Sequence, residues 1–396
     1  MGAISDVLVL SGTRTAVGKY GGAFRETPPS ELAAAVVREA VRRASVESDA
    51  VEHVVFGHVI NTETRDMYLA RVASVHGGVP IEAPALTVNR LCGSGLQAIV
   101  SAAQSITLGD ASVAVAGGAE CMSRAPYWVP HARWGARMGD GLLVDAMLGG
   151  LTDPFDDCHM GITAENVAER WNISREDQDA LAVESHQRAA RARDDGRFDE
   201  QILPIEVRSD KANATVTADE HIRPDTDVDR LGKLPPAFRE GGSVTAGNAA
   251  GINDGAAALV LANERTAEAL GAARPLGRLL GYAHAGVEPN VMGIGPVPAV
   301  QRVLDDTGLV ANDLDVIELN EAFAAQALAV MRDLKLPPER TNPNGSGISI
   351  GHPVGATGAV LTVKALYELE RVQGRYALVT MCIGGGQGIA AIFERV

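Results

Sequence analysis

The chain has 396 residues, a formal net charge of −15 at pH 7, and 46% hydrophobic and 4% aromatic side chains. This length exceeds what one ordinary hydrophobic core needs, so we expect two or three domains. The acidic balance argues against nucleic-acid binding, which requires a basic face. A small anionic ligand stays possible, because it needs only a few local donors.

Two further classes of protein are disfavoured by the sequence. No apolar run approaches the ~18 residues of a membrane span, and the first residues lack a basic and then apolar secretory signal. The four cysteines, Cys92, Cys121, Cys158 and Cys382, show no C-x-x-C spacing. This pattern favours individual thiol roles in a reducing compartment over a disulfide framework or a zinc site. We therefore expect a cytoplasmic protein that binds no membrane.

The N-terminal part of the chain alternates between strand and helix patterns. Strands are predicted at residues 4–10, 51–60 and 111–116. Helices are predicted at 30–43, with Ser30 as the N-cap, and at 68–75. Several strands are continuous apolar runs without polar alternation, which is typical of a layered α/β fold with a largely parallel, buried sheet.

The stretch from residue 89 to 105 carries the first candidate catalytic group. A short buried strand at 85–88 leads to Cys92, a glycine turn and then an apolar helical pattern. A cysteine at a helix N-terminus is expected to have a lowered pKa, because the free N–H groups stabilise a thiolate. The alternative is a small cysteine buried in the core, and this stretch alone does not decide between them.

The character of the sequence changes between about residues 123 and 247. All three tryptophans lie there, together with many charges and prolines. Ser174 is predicted to cap a helix that runs to Arg193, with Asp177 at the third helical position. We interpret this segment as an insertion that covers part of the fold.

The C-terminal part repeats the N-terminal plan. A glycine turn at 355–358, a helix at 359–369, a strand at 376–381 and the glycines 384–386 follow one another. The Cys92 region has the same succession of turn, helix, strand and glycines. This similarity predicts two halves of like topology, with the glycine turns meeting at one site and His352 facing Cys92.

Three residues in the C-terminal half complete a candidate site. Asn320 follows a predicted strand at 316–319, His352 lies in a glycine-rich turn, and Cys382 precedes three glycines. Taken singly, each is more often a turn residue, a structural histidine or a packed thiol. Together they supply an amide, an imidazole and a second thiol at strand ends, where α/β sheets bind ligands.

These segments together resemble the thiolase family, the acetyl-CoA C-acyltransferases, over essentially the whole chain and in the expected order. The segments are NRLCGSGLQAI, GGAECMSRAPY, HMGITAENVA, TAGNAAGINDGAAA, NEAFAAQ, GSGISIGHPVGATGA and CIGGGQG. The tail from residue 293 onward is most similar to bacterial β-ketothiolases of short-chain, rather broad specificity.

The resemblance implies an α/β fold of two duplicated αβαβαββ halves that form a five-layer αβαβα core with an inserted loop domain. Residues 1–122 and 248–274 would form the N-terminal half, 123–247 the CoA-binding loop domain, and 275–396 the C-terminal half. Family members are usually tetramers built as dimers of dimers, so we expect a homotetramer.

The resemblance also implies a mechanism. Cys92 would attack the keto carbon of a 3-oxoacyl-CoA after His352 takes its proton, and Cys382 would protonate the departing acetyl-CoA carbanion. CoA, deprotonated through Cys382, would then release the acyl group from Cys92; the reverse reaction is a Claisen condensation. His352 and a water held by Asn320 would form one oxyanion hole, and the N–H groups of Cys92 and Gly384 the other. CoA and acyl-CoA are substrates here, and no metal or permanently bound cofactor is required.

Further positions match the family's CoA-binding residues. The resemblance places these side chains along the acyl and pantetheine groups: His159, Met160, Phe238, Met292 and Phe323. Arg223 matches a position beside the adenosine phosphate. Its alternative interpretation is a solvated loop arginine, offset by the nearby acidic residues Asp219, Glu220, Asp225 and Asp227.

The chain departs from the family pattern at two positions. Ala250 stands where relatives carry the serine of GNASG, and Pro235 stands where they often carry the arginine of KLRPAF. The missing serine hydroxyl would normally bond a pantetheine amide. Because one hydrogen bond contributes about 0.5–1.5 kcal/mol net, we expect weaker CoA binding and retained activity.

Three other functions are compatible with parts of the sequence. A decarboxylating ketoacyl synthase of the same fold would need a second histidine, or a histidine where Cys382 stands. A papain-like Cys-His-Asn hydrolase leaves Cys382 and the duplication unexplained. A non-catalytic acyl-CoA- or lipid-binding protein of the thiolase fold would be expected to lose Cys92, His352 or Cys382. The low aromatic content favours short acyl groups, although the depth of the pocket is not encoded in any motif.

Overall fold

The computed structural model describes residues 6–207 and 214–396. The strands are β1 Val7–Thr15, β2 Gly18–Lys19, β3 His53–Gly57, β4 Ala85–Val88, β5 Val113–Cys121, β6 Tyr127–Trp128, β7 Val144–Asp145, β8 Thr152–Asp153, β9 Cys158–His159, β10 Ile202–Leu203, β11 Ile205–Val207, β12 Ala214–Val216, β13 Asn253–Asn263, β14 Gly277–Gly286, β15 Val316–Leu319, β16 Tyr376–Ile383 and β17 Gln387–Glu394. The α-helices are α1 Pro29–Ala44, α2 Leu69–His76, α3 Ser94–Leu108, α4 Ala146–Gly150, α5 Met160–Arg170, α6 Arg175–Asp194, α7 Val228–Gly232, α8 Glu264–Ala269, α9 Pro296–Thr307, α10 Ala324–Leu334 and α11 Thr357–Arg371.

The main sheet has mixed strand directions. Its order is β15-β16-β17-β14-β1-β13-β5-β3-β4, and along this path only β3/β4, β3/β5 and β15/β16 are parallel pairs. The prediction of a largely parallel sheet is therefore wrong. Helices cover both faces of the sheet, so its antiparallel strands are as continuously apolar as parallel ones and the pattern cannot separate the two.

The predicted internal repeat is confirmed by the topology. In the N-terminal half, β3 runs parallel to β5, β5 pairs antiparallel with β13, and β13 pairs antiparallel with β1. In the C-terminal half, β15, β16, β17 and β14 repeat these pairings in the same order. Helices α3 and α11 precede the matching strands β5 and β16.

The two halves are stacked in five layers. One apolar cluster joins α3 and α11 to the inner faces of both halves of the sheet. A second cluster packs α1 and α2 on the outer face of the N-terminal half, and a third packs α9 on the outer face of the C-terminal half. The expected αβαβα layering is thus confirmed, with α3 and α11 at the centre.

The first turns of α3 and α11 lie in direct backbone contact. A Cβ atom on Gly95 would lie 2.7 Å from the backbone nitrogen of Ala359, and one on Gly358 would lie 2.2 Å from that of Leu96. Real Cβ atoms do not approach this closely, so glycine is required at both positions. This contact places the N-terminus of each central helix beside that of the other.

The sequence predicted several element ends incorrectly. Helix α1 begins at Pro29 with Pro28 at the cap position, and the expected cap Ser30 is a buried residue inside the helix; proline suits the first turn because no N–H is needed there. Strand β4 was expected to be buried, yet it is the edge strand and Leu86 is 46% exposed. The Ser174 cap is confirmed, since its Oγ accepts a hydrogen bond from the nitrogen of Asp177 at 3.0 Å.

Helix α3 explains one further discrepancy. The segment Leu91–Leu108 has the length and mean hydropathy, 1.2 over 18 residues, of a membrane span, so the expectation that no run approaches this length is wrong. The helix lies between the two halves of the sheet. A helix that is buried on two sides needs the same apolar composition as a helix that spans a bilayer.

The middle segment lies beside the C-terminal half. Helices α5 and α6 of this segment both pack against α10. Its strand β10 pairs in parallel with β1 of the main sheet, and its other described residues form short helices, two-stranded ribbons and loops. The division of the chain at residues 122, 247 and 274 stays a prediction.

We predict that Gly95→Ala lowers the free energy of unfolding by about 1–3 kcal/mol, because the added methyl group forces the first turns of α3 and α11 apart. Urea denaturation measures this change. Gly141→Ala is the matched control, since nothing lies within 4 Å of a Cβ at that position. Equal stability of the two variants would contradict the close-contact interpretation.

Candidate active site

A pocket of about 720 Å³ lies between the two halves and the middle segment. It is lined by ten of the predicted site residues: Cys92, His159, Met160, Arg223, Phe238, Ala250, Met292, Phe323, His352 and Gly384. It is also lined by residues that the sequence analysis did not assign to the site, among them Lys19, Tyr20, Met122, Leu151, His221, Ile252 and Val354. The sequence could have indicated two of these residues, because Lys19 lies in the glycine-rich loop after β1 and His221 lies two positions before Arg223.

The remaining two predicted residues lie directly behind the pocket wall. Cys382 is fully buried in an apolar cluster that contains Met160, Met292 and Phe323. Asn320 is also fully buried, and its Nδ2 lies 3.3 Å from Nε2 of His352. The structure therefore brings all twelve predicted residues to one place.

Cys92 sits in a strained turn at the start of α3. The residue before it, Leu91, has a left-handed backbone with φ of 47°, which is costly for a branched side chain. The Ser94 hydroxyl holds this turn, because it accepts from the nitrogen of Arg90 at 2.8 Å and donates to the Leu91 carbonyl at 2.7 Å. Strain of this kind persists where the surroundings fix a reactive group.

The resting thiol of Cys92 is protonated at neutral pH. Burial raises its pKa to about 11, and the N–H groups of Gly384 and of Cys92 itself offset only part of that rise. The prediction of a lowered pKa is wrong, because desolvation of the thiolate outweighs the favourable helix N-terminus. A neighbouring base is therefore needed to make the nucleophile.

His352 has the properties of that base. Burial lowers its pKa to about 4, so the imidazole is neutral at physiological pH. Its Nδ1 lies 2.7 Å from Oγ1 of Thr357, and this hydroxyl donates to the carbonyl of Pro353 at 2.9 Å. Nδ1 must then be the donor to Thr357, which leaves the lone pair on Nε2, the nitrogen beside Asn320.

The burial of Cys382 has the same electrostatic consequence as that of Cys92. Desolvation raises the pKa of the Cys382 thiol well above its usual range, and a negative charge on Cys92 raises it further. Both thiols and the imidazole are thus neutral at rest. A pocket that disfavours isolated charge strengthens any interaction with charge formed during a reaction.

The glycines after Cys382 let the backbone approach the nucleophile. A Cβ on Gly384 would lie 2.8 Å from Cε of Met160, and the next two residues, Gly385 and Gly386, have φ of +78° and +80°. These conformations favour glycine. The tight turn directs the N–H of Gly384 to the sulfur of Cys92.

Aromatic rings form one wall of the pocket. The rings of His159 and Phe238 stack with centroids 4.7 Å apart, and Phe323 meets Phe238 edge-on at 6.2 Å. Nδ1 of His159 caps α5 by accepting from the nitrogen of Gly161 at 3.0 Å. The proton is therefore on Nε2, which can donate to a polar atom of a ligand.

Arg223 lies at the mouth of the pocket with its positive charge available. Of the acidic residues near it in sequence, Asp219 pairs with Arg14 at 2.7 Å, and Asp225 and Asp227 pair with Arg230. Glu220 accepts hydrogen bonds from the backbone at Lys19 and Ala23. No carboxylate within 6–207 or 214–396 forms an ion pair with Arg223. The expected local offset of its charge is limited to a weaker interaction with Asp225, whose pKa is lowered mainly by its hydrogen bond to Arg230 and further by the charge of Arg223.

Comparisons with known proteins cover the whole chain. The thiolase N-terminal domain model matches residues 7–265 and the thiolase C-terminal domain model matches residues 273–395. The beta-ketothiolase BktB of Cupriavidus necator is 63% identical over 392 residues, 99% of each chain. The acetyl-CoA acetyltransferase of Pseudomonas aeruginosa is 48% identical over 394 residues, 99% of this chain and all of the relative.

Solved structures give the same result. The acetyl-CoA acetyltransferase of Bacillus anthracis superimposes with a TM-score of 0.97 at 44% identity, with complete coverage of both chains. The human mitochondrial 3-ketoacyl-CoA thiolase in complex with CoA has a TM-score of 0.96 at 43% identity, and the alignment covers all of this chain and 99% of that one. The chain therefore belongs to the thiolase family and is a CoA-dependent acyltransferase.

Proposed function

We propose that this thiolase cleaves short-chain 3-oxoacyl-CoA to acetyl-CoA and a shortened acyl-CoA through an acyl group on Cys92, and catalyses the reverse condensation. The observation that carries this proposal is the meeting of two thiols and a neutral imidazole at one buried pocket. A non-catalytic binding protein has no need of such a set.

The first half-reaction begins with a proton transfer from Cys92 to Nε2 of His352. The thiolate adds to the keto carbon, and the N–H groups of Gly384 and Cys92 stabilise the resulting oxyanion. Collapse of this intermediate breaks the bond between the keto carbon and its α-carbon. The acyl group stays on Cys92, and the acetyl-CoA enolate takes its proton from Cys382.

The second half-reaction restores both thiols. The Cys382 thiolate removes the proton of CoA, whose sulfur attacks the acyl group on Cys92. When the Cys92 thiolate leaves, it recovers its proton from His352, and no net proton is gained or lost. The neutral resting forms of all three groups, a consequence of their burial, suit this exchange.

Asn320 supports the enolate oxygen through a water molecule in this proposal. Its Oδ1 is buried and has no hydrogen-bond partner among the described residues, so it can accept from such a water. After the proton transfer, Nε2–H of His352 becomes a second donor to the same oxygen. Removal of one preorganised donor typically costs about 3–4 kcal/mol of transition-state stabilisation.

Three groups that line the pocket would recognise CoA. Arg223 would bind a phosphate of the adenosine end, and His159 and Phe238 would flank the pantetheine. The unpaired charge of Arg223 and the donor on His159 support this placement. The similarity to a thiolase whose structure contains CoA supports it further.

We also propose that the protein is a cytoplasmic homotetramer that acts in fatty acid metabolism. A loop after β5 exposes large apolar side chains, including Trp134 at 86% and Met138 at 99%. Exposure of this kind marks surfaces that bind another protein, and a further copy of the chain would cover it.

The proposed activity predicts CoA-dependent loss of both acetoacetyl-CoA and 3-oxohexanoyl-CoA, because the pocket of about 720 Å³ has apolar walls that suit short acyl chains. The ratio of kcat/KM for the two substrates measures the chain-length preference. Cys92→Ala is the control and should abolish turnover of both. Folded protein that binds CoA without turning over either substrate would instead be a binding protein.

We predict that Ala250→Ser lowers the KM for CoA, by about twofold to tenfold for one added hydrogen bond. Ala250 lines the pocket, and its side chain stands where the relatives' serine would reach a pantetheine amide. Steady-state kinetics with varied CoA tests this prediction, with Ala246→Ser at the same pocket as the control. An unchanged KM would show that the hydroxyl does not reach the substrate.

Loss of the Thr357 hydroxyl should reduce catalysis by misorienting the base. We expect Thr357→Val to lower kcat by about tenfold to a hundredfold, since Nδ1 of His352 loses the acceptor that fixes its tautomer and position. Thr357→Ser retains the hydroxyl and should stay within about threefold of the wild type. Equal activity of the two variants would disprove this role of the hydroxyl.

A further inference from the structure

A buried carboxylate joins the two halves of the molecule behind the His352 turn. Oε2 of Glu120, near the end of β5, accepts from the backbone nitrogens of Val59 at 3.1 Å and Gly355 at 2.9 Å. Oε1 accepts from the nitrogen of Ile60 at 3.1 Å. Val59 and Ile60 follow β3 of the N-terminal half, whereas Gly355 belongs to the turn between His352 and α11.

A second buried side chain holds the other end of the same turn. Oδ1 of Asn253, the first residue of β13, accepts from the backbone nitrogen of His352 at 2.9 Å, and its Nδ2 donates to the Gly18 carbonyl at 3.0 Å. Both side-chain anchors of the turn therefore come from the half that carries Cys92.

Two glycines allow the turn to reach these anchors. A Cβ on Gly355 would lie 2.5 Å from Oε2 of Glu120, and one on Gly351 would lie 2.5 Å from Cγ of Asn253. Gly351 also has φ of +114°. The glycines on each side of His352 thus fit the turn against these two side chains.

We propose that Glu120 and Asn253 are positioning residues that set the separation of His352 from Cys92 across the two halves. This inference rests on the proposed role of His352 as the base. The base and the nucleophile belong to different halves, so packing of α3 against α11 would otherwise be the main constraint on their distance. Because a displacement of about 1 Å can lower a rate about a hundredfold, two hydrogen-bonded anchors have a large effect.

The charge of Glu120 and the position of His352 affect formation of the Cys92 thiolate in opposite directions. Burial is the main cause of the raised pKa of Cys92, and a negative charge on Glu120 adds to it; burial also raises the pKa of the Glu120 carboxyl itself. By charge alone, Glu120→Gln would therefore ease formation of the Cys92 thiolate or leave it unchanged. Displacement of His352 would have the opposite effect. His58, whose Nδ1 lies 3.4 Å from Oε1 of Glu120, and Asp66, 4.0 Å from Nε2 of His58, are unchanged in the variant.

The experiment compares Glu120→Gln, Gly355→Ala and the double variant in the full-length protein. We expect each single change to lower kcat by about tenfold to a hundredfold, with the KM for CoA within about twofold of the wild type. Alkylation of Cys92 by iodoacetamide, measured by peptide mass spectrometry, should require a higher pH in each single variant than in the wild type. Because both changes break the hydrogen bond between Gly355 and Glu120, the loss of kcat in the double variant should be smaller than the product of the two single losses.

Glu368→Gln is the matched control. Glu368 is a buried carboxylate on α11 that accepts from Nδ2 of Asn344 at 2.9 Å, away from the turn. At comparable thermal stability, this control should keep its kcat and its alkylation profile. A loss of kcat equal to that of Glu120→Gln would show a general effect of stability and overturn the proposal.

Two further outcomes separate the possible failures. Faster alkylation of Glu120→Gln with unchanged kcat would show that the carboxylate acts only through its charge, which overturns the positioning role. His352→Ala tests the base itself: an unaltered alkylation profile in that variant would overturn the base role and this inference with it. An altered profile there, beside a wild-type profile and a wild-type kcat in Glu120→Gln, would overturn the positioning role alone.

Discussion

The contact between the first turns of α3 and α11 is the constraint on which the rest of the site depends. Gly95 and Gly358 allow two helix backbones from different halves to touch where each helix begins. Cys92 precedes one of these helices and His352 precedes the other. The duplication of one topology thus has a chemical consequence. It brings together two equivalent turns that carry different reactive groups.

Burial then determines the electrostatic state of the site. It raises the pKa values of Cys92 and Cys382 and lowers that of His352, so all three groups are neutral before substrate enters. A preformed thiolate–imidazolium pair would be costly in such surroundings. In the proposed mechanism, charge instead arises during the reaction, and the N–H group of Gly384 and the amide of Asn320 would stabilise it.

The sequence predicted the features that depend on local pattern or on the presence of a residue type. The Ser174 cap follows from residues three positions apart, and the repeat follows from the recurrence of turn, helix and strand. The direction of the strands and the pKa of Cys92 were predicted wrongly. Both depend on which parts of the chain pack against the segment. Neither the apolar periodicity of a segment nor the position of a residue at a helix end carries that information.

The same distinction explains which residues of the site were missed. Thr357 and Glu120 belong to segments that resemble the thiolase family, GATG and GGAE, yet nothing in their types or spacing assigns them a function. Their importance comes from single hydrogen bonds, to the imidazole of His352 and to the backbone of Gly355. A catalytic residue is recognisable by its own chemistry. A positioning residue is recognisable only by its contacts, so a structure is needed to find it.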